Sequence, residues 1–256
     1  MGWGWWWWSL ALLAAAMGGA WAALRALERR RRAPLRGEWV LLVIAHPDDE
    51  SMFFGPLLGA LRATGADTHV LCLSTGDADG LGATRVRELR RCCRECWGIP
   101  ESRVSVLDEP GLRDGFGERW APELVAERTE AAVRGLLRAR GDAALGSVVS
   151  FDEHGVSGHP NHSATHRGVR SLALSRRLGQ VAFFQLDSVP MLRKYLGPLD
   201  LPLALATGSP VLVASTALPA SFCAMAAHAS QFVWYRRLFI VFSRYTFVNT
   251  LRAMAV

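Results

Sequence analysis

The sequence predicts an α/β protein: an open, mostly parallel sheet with helices on both faces, preceded by one membrane-spanning helix. Three observations carry this. Short continuous apolar runs, rich in branched residues, alternate with stretches of helical length. The first run, 39–45, has no polar face, as expected of a strand buried on both sides of a parallel sheet. A charge-free segment near the N-terminus is long enough to cross a bilayer.

That segment runs from Trp3 to Leu24. Its 22 residues, at about 1.5 Å each, reach roughly 33 Å, against a hydrocarbon core of about 30 Å. Trp5–Trp8 crowd one end, where indole rings favour the lipid–water boundary. Arg25 and the run Arg29–Arg32 lie at the other end, so the positive-inside rule puts the N-terminus in a lumen and the following domain in the cytosol. A cleaved secretory signal, with Gly18-Gly19-Ala20 as small residues for cleavage, is the competing reading. It requires basic residues ahead of a shorter core, and here they lie behind it. The expected division is an anchor with a basic flank over 1–32 and one domain over 33–256.

Within the domain, 39–45 reads as the first strand and 51–64 as a helix. A second strand at 69–74 leads through a Gly/Asp loop, 76–82, into a helix at 83–97. Strands at 104–108 and 147–151 flank a long helix at 121–140. A helix at 163–177 and a strand near 181–187 follow. Phe232–Phe247, apolar but interrupted by Arg236, Arg237 and Arg244, reads either as a core-packed terminal helix or as a helix lying at a membrane surface, too charged to cross it.

Composition narrows the function. The 256 residues are 50% hydrophobic and 20% charged, which excludes a disordered chain. The net charge of +6 is concentrated in residues 1–38, where six arginines meet two glutamates, so it does not point to nucleic-acid binding. Five clustered cysteines, at 72, 92, 93, 96 and 223, suit a reducing compartment better than a disulfide framework, and Cys93-x-x-Cys96 lacks the second pair of a zinc ribbon.

Ligands in such sheets bind beyond the carboxyl ends of the strands. Two of those ends hold unusual residues: Ala45-His46-Pro47-Asp48-Asp49-Glu50 after the first strand, and Gly158-His159-Pro160-Asn161-His162 after the fourth. His46 and Asp49, three apart, face one way if the chain turns helically after Pro47. With His162 they make a two-His, one-carboxylate set that leaves a position open, as catalytic zinc sites do. Asp48 then stands ready as a general base. Alone, the acidic turn reads as a solvent-facing loop and the histidines as helix caps; their shared position at strand ends favours a metal hydrolase. Of the other histidines, His69 reads as structural, and His154 and His166 as surface residues or supports of the metal loop. His228 is a candidate for the substrate pocket.

The two motifs resemble those of the LmbE-like N-acetylglucosaminyl deacetylases. Arg85-Val-Arg-Glu88-Leu89 and Leu112-Arg-Asp114-Gly115 are similar to further family segments, and the likeness can be followed over 39–252. The N-terminal span and the segment from His228 to Tyr245 resemble the membrane-bound eukaryotic branch. The resemblance implies a Rossmann-like sheet and a zinc-dependent amidohydrolase. It implies His46, Asp49 and His162 as metal ligands and Asp48 as the base. His159 would stabilise the oxyanion and protonate the leaving amine, and Arg85 and Asp114 would bind substrate. It further implies a lipid-linked substrate, N-acetylglucosaminyl-phosphatidylinositol, met on the cytoplasmic face of the endoplasmic reticulum in the second step of glycosylphosphatidylinositol (GPI) anchor synthesis. Two rival readings are a de-N-acetylase of another N-acetylglucosaminyl conjugate and a catalytically inactive, membrane-tethered binding protein of the same fold.

Overall fold

Trp39–Ile44 forms β1, and all six of its residues are buried, as its unbroken apolar run predicts. It is an inner strand, third in a seven-stranded sheet, in a computed structural model that describes residues 4–30, 34–35, 37–141 and 144–254. The other strands are β2 (Asp67–Cys72), β3 (Val104–Val106), β4 (Gly146–Phe151), β5 (Val181–Leu186), β6 (Val211–Ala214) and β7 (Val248–Ala253). Their order is β3-β2-β1-β4-β5-β7-β6. β1 pairs in parallel with β2 on one side and β4 on the other, so the order reverses between β1 and β4 and opens a crevice at their carboxyl ends. The β1–β4 register sets Trp39 against Gly146, where a Cβ would come within 2.0 Å of the indole ring. Only glycine lets the two strands close over that tryptophan.

The helices are α1 (Gly4–Glu28), α2 (Asp49–Phe53), α3 (Gly55–Ala63), α4 (Gly82–Glu95), α5 (Pro122–Arg140), α6 (Pro160–Leu174), α7 (Met191–Lys194), α8 (Leu201–Ala206), α9 (Leu218–Ala227) and α10 (Trp234–Phe242). The helix expected over 51–64 is two helices, broken at Phe54, because Pro56 follows at once and offers no amide hydrogen to continue the ladder. α5 and α6 pack closely at Gly168, where a Cβ would sit 2.4 Å from Val125 Cβ.

Two strands went unread in the sequence. β6 has four residues, and β7 carries Asn249, Thr250 and Arg252. β7 runs antiparallel between β5 and β6, the one reversal in the sheet. The terminal helix expected over 232–247 spans only Trp234–Phe242, and a 3₁₀ turn at Arg244–Thr246 turns the chain into β7.

The segment Trp6–Glu28 of α1 is long and apolar enough to cross a membrane, with a mean hydropathy of 1.6. Its last turns pack on the domain. Leu24 is fully buried with Leu201, Ala204 and Phe247, and the Trp21 ring meets Phe247 edge-on. The Glu28 carboxylate accepts hydrogen bonds from the Thr216 backbone and hydroxyl, at 3.2 and 2.5 Å. Trp3, where the expected span begins, lies outside the described residues, as do Arg31 and Arg32 of the basic run and the boundary drawn between 32 and 33.

Candidate active site

β1 delivers His46 to the crevice, and a tight loop follows. Asp49 Oδ2 accepts the backbone N–H groups of Ala45 and His46, at 3.0 and 2.8 Å, which folds the start of α2 back onto the strand end. Asp48, between them, is held at φ 116°, ψ −19°, a conformation that disfavours any side chain and costs on the order of 1–3 kcal/mol. Its N–H donates to Glu50 Oε2 at 3.1 Å. β4 ends at Phe151, and the next loop is pinned by Asp152, whose carboxylate accepts N–H groups of His154, Gly155 and Ser188. Gly155 has φ 59°, and a Cβ there would meet His162 Cβ at 2.5 Å. His159 caps α6 by accepting the Asn161 N–H on Nδ1 at 3.2 Å. His162 lies one turn further, its ring stacked on Phe151 at 4.3 Å.

These local choices bring three of the expected side chains together. His162 Nε2 is 3.2 Å from Asp49 Oδ1 and 3.3 Å from His46 Nδ1, and His46 Nδ1 is 3.8 Å from Asp49 Oδ2. Ligands about 2.0–2.1 Å from a tetrahedral zinc lie roughly 3.3 Å from one another, so the spacing fits such a cation. The outward nitrogens of both rings are engaged, as metal-ligating histidines require. His46 Nε2 faces Asp114 Oδ1 at 3.0 Å, and His162 Nδ1 donates to the Gly155 carbonyl at 2.9 Å. His159 also brings a ring nitrogen within 4.8 Å of those of His46 and His162. A second group with metal-ligand chemistry, Glu50, Cys92 and His228, is wholly buried. There Glu50 Oε1 and His228 Nε2 already share a hydrogen bond at 2.6 Å, which leaves no space for a cation between them.

The sequence profile of the PIG-L family, described as GlcNAc-PI de-N-acetylase, matches residues 41–173. An N-acetylglucosaminyl-phosphatidylinositol de-N-acetylase of Bos taurus is 37% identical over 236 residues, 90% of each chain. A probable enzyme of that name from Dictyostelium discoideum is 34% identical, covering 83% of this chain and 92% of its own. This chain belongs to the PIG-L family. The fold is shared more widely. The N,N'-diacetylchitobiose deacetylase of Pyrococcus horikoshii superposes with a TM-score of 0.59 at 17% identity, over 85% of this chain and 84% of its own.

Against this PIG-L frame, the remaining expected residues fall into two groups. Asp48 is buried beside the three candidate ligands, and its Oδ2 has no hydrogen-bond partner. Arg85 Nη2 lies 3.4 Å from its Oδ1, and Arg236 Nη2 lies 3.4 Å from Oδ2. Arg85 and Asp114 were expected at the substrate. Both are committed to protein: Arg85 donates to the carbonyls of Pro47 and Gly76 and pairs with Asp114, whose other oxygen holds His46. Gly76, at φ 71°, leaves room for that guanidinium, since a Cβ would lie 2.6 Å from it. His228, expected in the substrate pocket, is fully buried against Glu50, behind the loop instead of in the crevice. His166 is a support, with Nδ1 on the Phe151 carbonyl at 3.0 Å, while His154 is exposed.

Burial raises the Asp48 carboxyl above the usual range, opposed by Arg85 and Arg236 and assisted by Asp49. Burial acts the same way on Asp49, but His162 and His46 reverse it and hold that carboxyl well below the usual range. Burial and the neighbouring His46 and His162 push His159 down to about 4.

Three participants were missed in the sequence. Asn161 sets Nδ2 3.1 Å from His46 Nε2 and has a buried, unpartnered Oδ1. Arg236, in the segment that reads either as a core-packed or as a membrane-surface helix, reaches Asp48. Phe116, 81% exposed, packs its ring 4.4 Å from that of His159 at the mouth. Asn161 sits inside the second motif and was legible there; Arg236 and Phe116 had no local signal. Beside Asp114 a cleft of about 400 Å³ is lined by Thr75, Asp77, Asp108, Arg113 and Glu118.

Proposed function

We propose that this chain hydrolyses the N-acetyl group of N-acetylglucosaminyl-phosphatidylinositol, giving acetate and glucosaminyl-phosphatidylinositol, the second step of GPI-anchor synthesis. One observation carries the chemistry: a buried Asp48 oxygen without a hydrogen-bond partner, next to three side chains spaced as ligands. The substrate is drawn from the names of the relatives that match most of the chain.

His46, Asp49 and His162 would hold a divalent cation, Zn²⁺ by the donor set, whose Lewis acidity lowers the pKa of water and polarises an amide carbonyl. Asp48 Oδ2 takes a proton from the water that attacks the carbonyl carbon, with Arg85 and Arg236 fixing the carboxylate on either side. The same proton is then available to the departing amine. Because His159 Nδ1 accepts the Asn161 N–H, the neutral ring carries its hydrogen on Nε2. It therefore serves as a neutral donor to the developing oxyanion, a contact worth about 3–4 kcal/mol. Asp114 orients His46 and borders the cleft, whose carboxylates suit the hydroxyl donors of a sugar or inositol ring.

The anchor, 1–32, places the enzyme in the endoplasmic reticulum membrane with its N-terminus lumenal and the deacetylase domain, 33–256, cytosolic. The test is acetate release from the lipid-linked sugar by wild type and Asp48→Asn, with metal content measured on both. Asp48→Asn keeps the metal and loses about 10²–10⁴-fold in turnover. Turnover near wild type would remove Asp48 from the reaction.

A further inference from the structure

The helix that reaches Asp48 is apolar on its outer face. On α10, Trp234 is 71% exposed, Leu238 48% and Phe242 53%, and Tyr235 and Val241 are exposed beside them. Steps of three and four residues along a helix align these five side chains into one stripe. The opposite side buries Phe239 and Ile240 and turns Arg236 towards Asp48. The stripe is therefore carried on the outer side of the helix that reaches Asp48.

It does not stand alone. On α7, Met191 and Leu192 are exposed, Leu192 by 85%, and the Tyr195 ring that follows them packs edge-on against Phe239 at 6.1 Å. The turn Gly197–Asp200 comes next, and a Cβ on Gly197 would lie 3.4 Å from the Phe242 carbonyl. Asp200 of that turn pairs with Arg193 of α7 and with the buried Arg244 just after α10, tying the three pieces into one platform. α1 packs against the same turn and against α8, whose Leu203 and Leu205 are exposed. The apolar surface thus runs from the helix that reaches Asp48 to the helix long enough to span a membrane. Arg237, exposed, stacks over the Phe232 ring at 4.7 Å at the stripe's edge, where a cation meets lipid phosphates.

We infer that α10 and α7 form a membrane-contact face that seats the active-site mouth on the bilayer entered by α1. Apolar stripes of this kind settle about 5–10 Å into the headgroup–acyl boundary. A lipid substrate then presents its headgroup to Asp48 without leaving the membrane. The inference rests on the reading of α1 as a span and of the substrate as a lipid-linked sugar.

The test uses the full chain in phosphatidylcholine vesicles, in a Cys96→Ser, Cys223→Ser background. An environment-sensitive NBD label is attached at Leu238→Cys, at Phe242→Cys, or at Arg177→Cys beyond the end of α6. Labels at 238 and 242 should emit at shorter wavelength and be quenched by doxyl-labelled lipid, and the label at 177 should do neither. Water-like emission at 238 and 242 overturns the inference. So does shifted emission without lipid quenching, which would mark a protein covering the stripe. In parallel, Leu238→Glu with Phe242→Glu should raise KM for vesicle-embedded substrate about tenfold or more, with kcat on a short-chain, water-soluble analogue unchanged. Equal loss on both substrates counts against a membrane role. If wild type releases acetate from neither, the proposed reaction fails, while the quenching result still decides the membrane face.

Discussion

Asp49 and Glu50 are consecutive on α2, both are buried, and each faces a histidine from far along the chain, yet the two pairs are built differently. Glu50 and His228 are closed on each other at 2.6 Å, deep in the core, with Ser51 Oγ donating to the same Glu50 oxygen at 2.7 Å. Asp49, His46 and His162 stand 3.2–3.8 Å apart at the strand ends, a wider spacing that suits a shared cation. Residue type and burial are the same in both. Separation distinguishes a candidate ligand cradle from a structural ion pair.

Asp49→Ala and His162→Ala should each lose bound metal and reduce acetate release to background, with the fold retained, as metal analysis and circular dichroism would show. Normal metal occupancy in both variants would remove the cradle. In the second pair the order of effects reverses. Glu50→Ala leaves His228 buried without its partner, which typically costs about 3–5 kcal/mol of stability, and metal binding should survive. Activity falls through Asp48, whose strained backbone loses its acceptor. A double Glu50→Leu, His228→Leu variant should recover much of that stability in urea unfolding, since apolar replacement of a buried pair is often neutral. If Glu50→Ala instead lost metal while remaining as stable as wild type, the two pairs would share one role. The mildest case is Ser51→Ala, which removes one hydroxyl donor to Glu50 and should cost about 1 kcal/mol, with unchanged metal content.

Legibility followed the same division. β1 to β5 were readable because short segments rich in branched apolar residues alternate with stretches of helical length, although only β1 is apolar throughout. β6 and β7 were not, since β7 mixes Asn249, Thr250 and Arg252 into a strand whose partners lie more than 30 residues away. His46, Asp49 and His162 were readable as neighbours because their motifs sit at strand ends whose adjacency the βα alternation implies. His228 was misplaced: its sequence neighbourhood looked like a pocket segment, and only the packing of α9 behind α2 turns it to Glu50.

The sequence by itself determined the loop that makes Asp48 and Asp49 unusual. Asp49 reaches back three and four residues to the N–H groups of His46 and Ala45, a closure so short that it costs little chain entropy. Tertiary structure alone decided which distant groups complete it. His162 comes from 116 residues beyond His46, Asp114 takes His46 Nε2, and Arg236 arrives at Asp48 on a helix whose other side faces outward. No local preference encodes those meetings. They follow from the reversal of strand order between β1 and β4 and from the return of the chain through α9, α10 and β7, where burial of whole faces outweighs the cost of closing long loops.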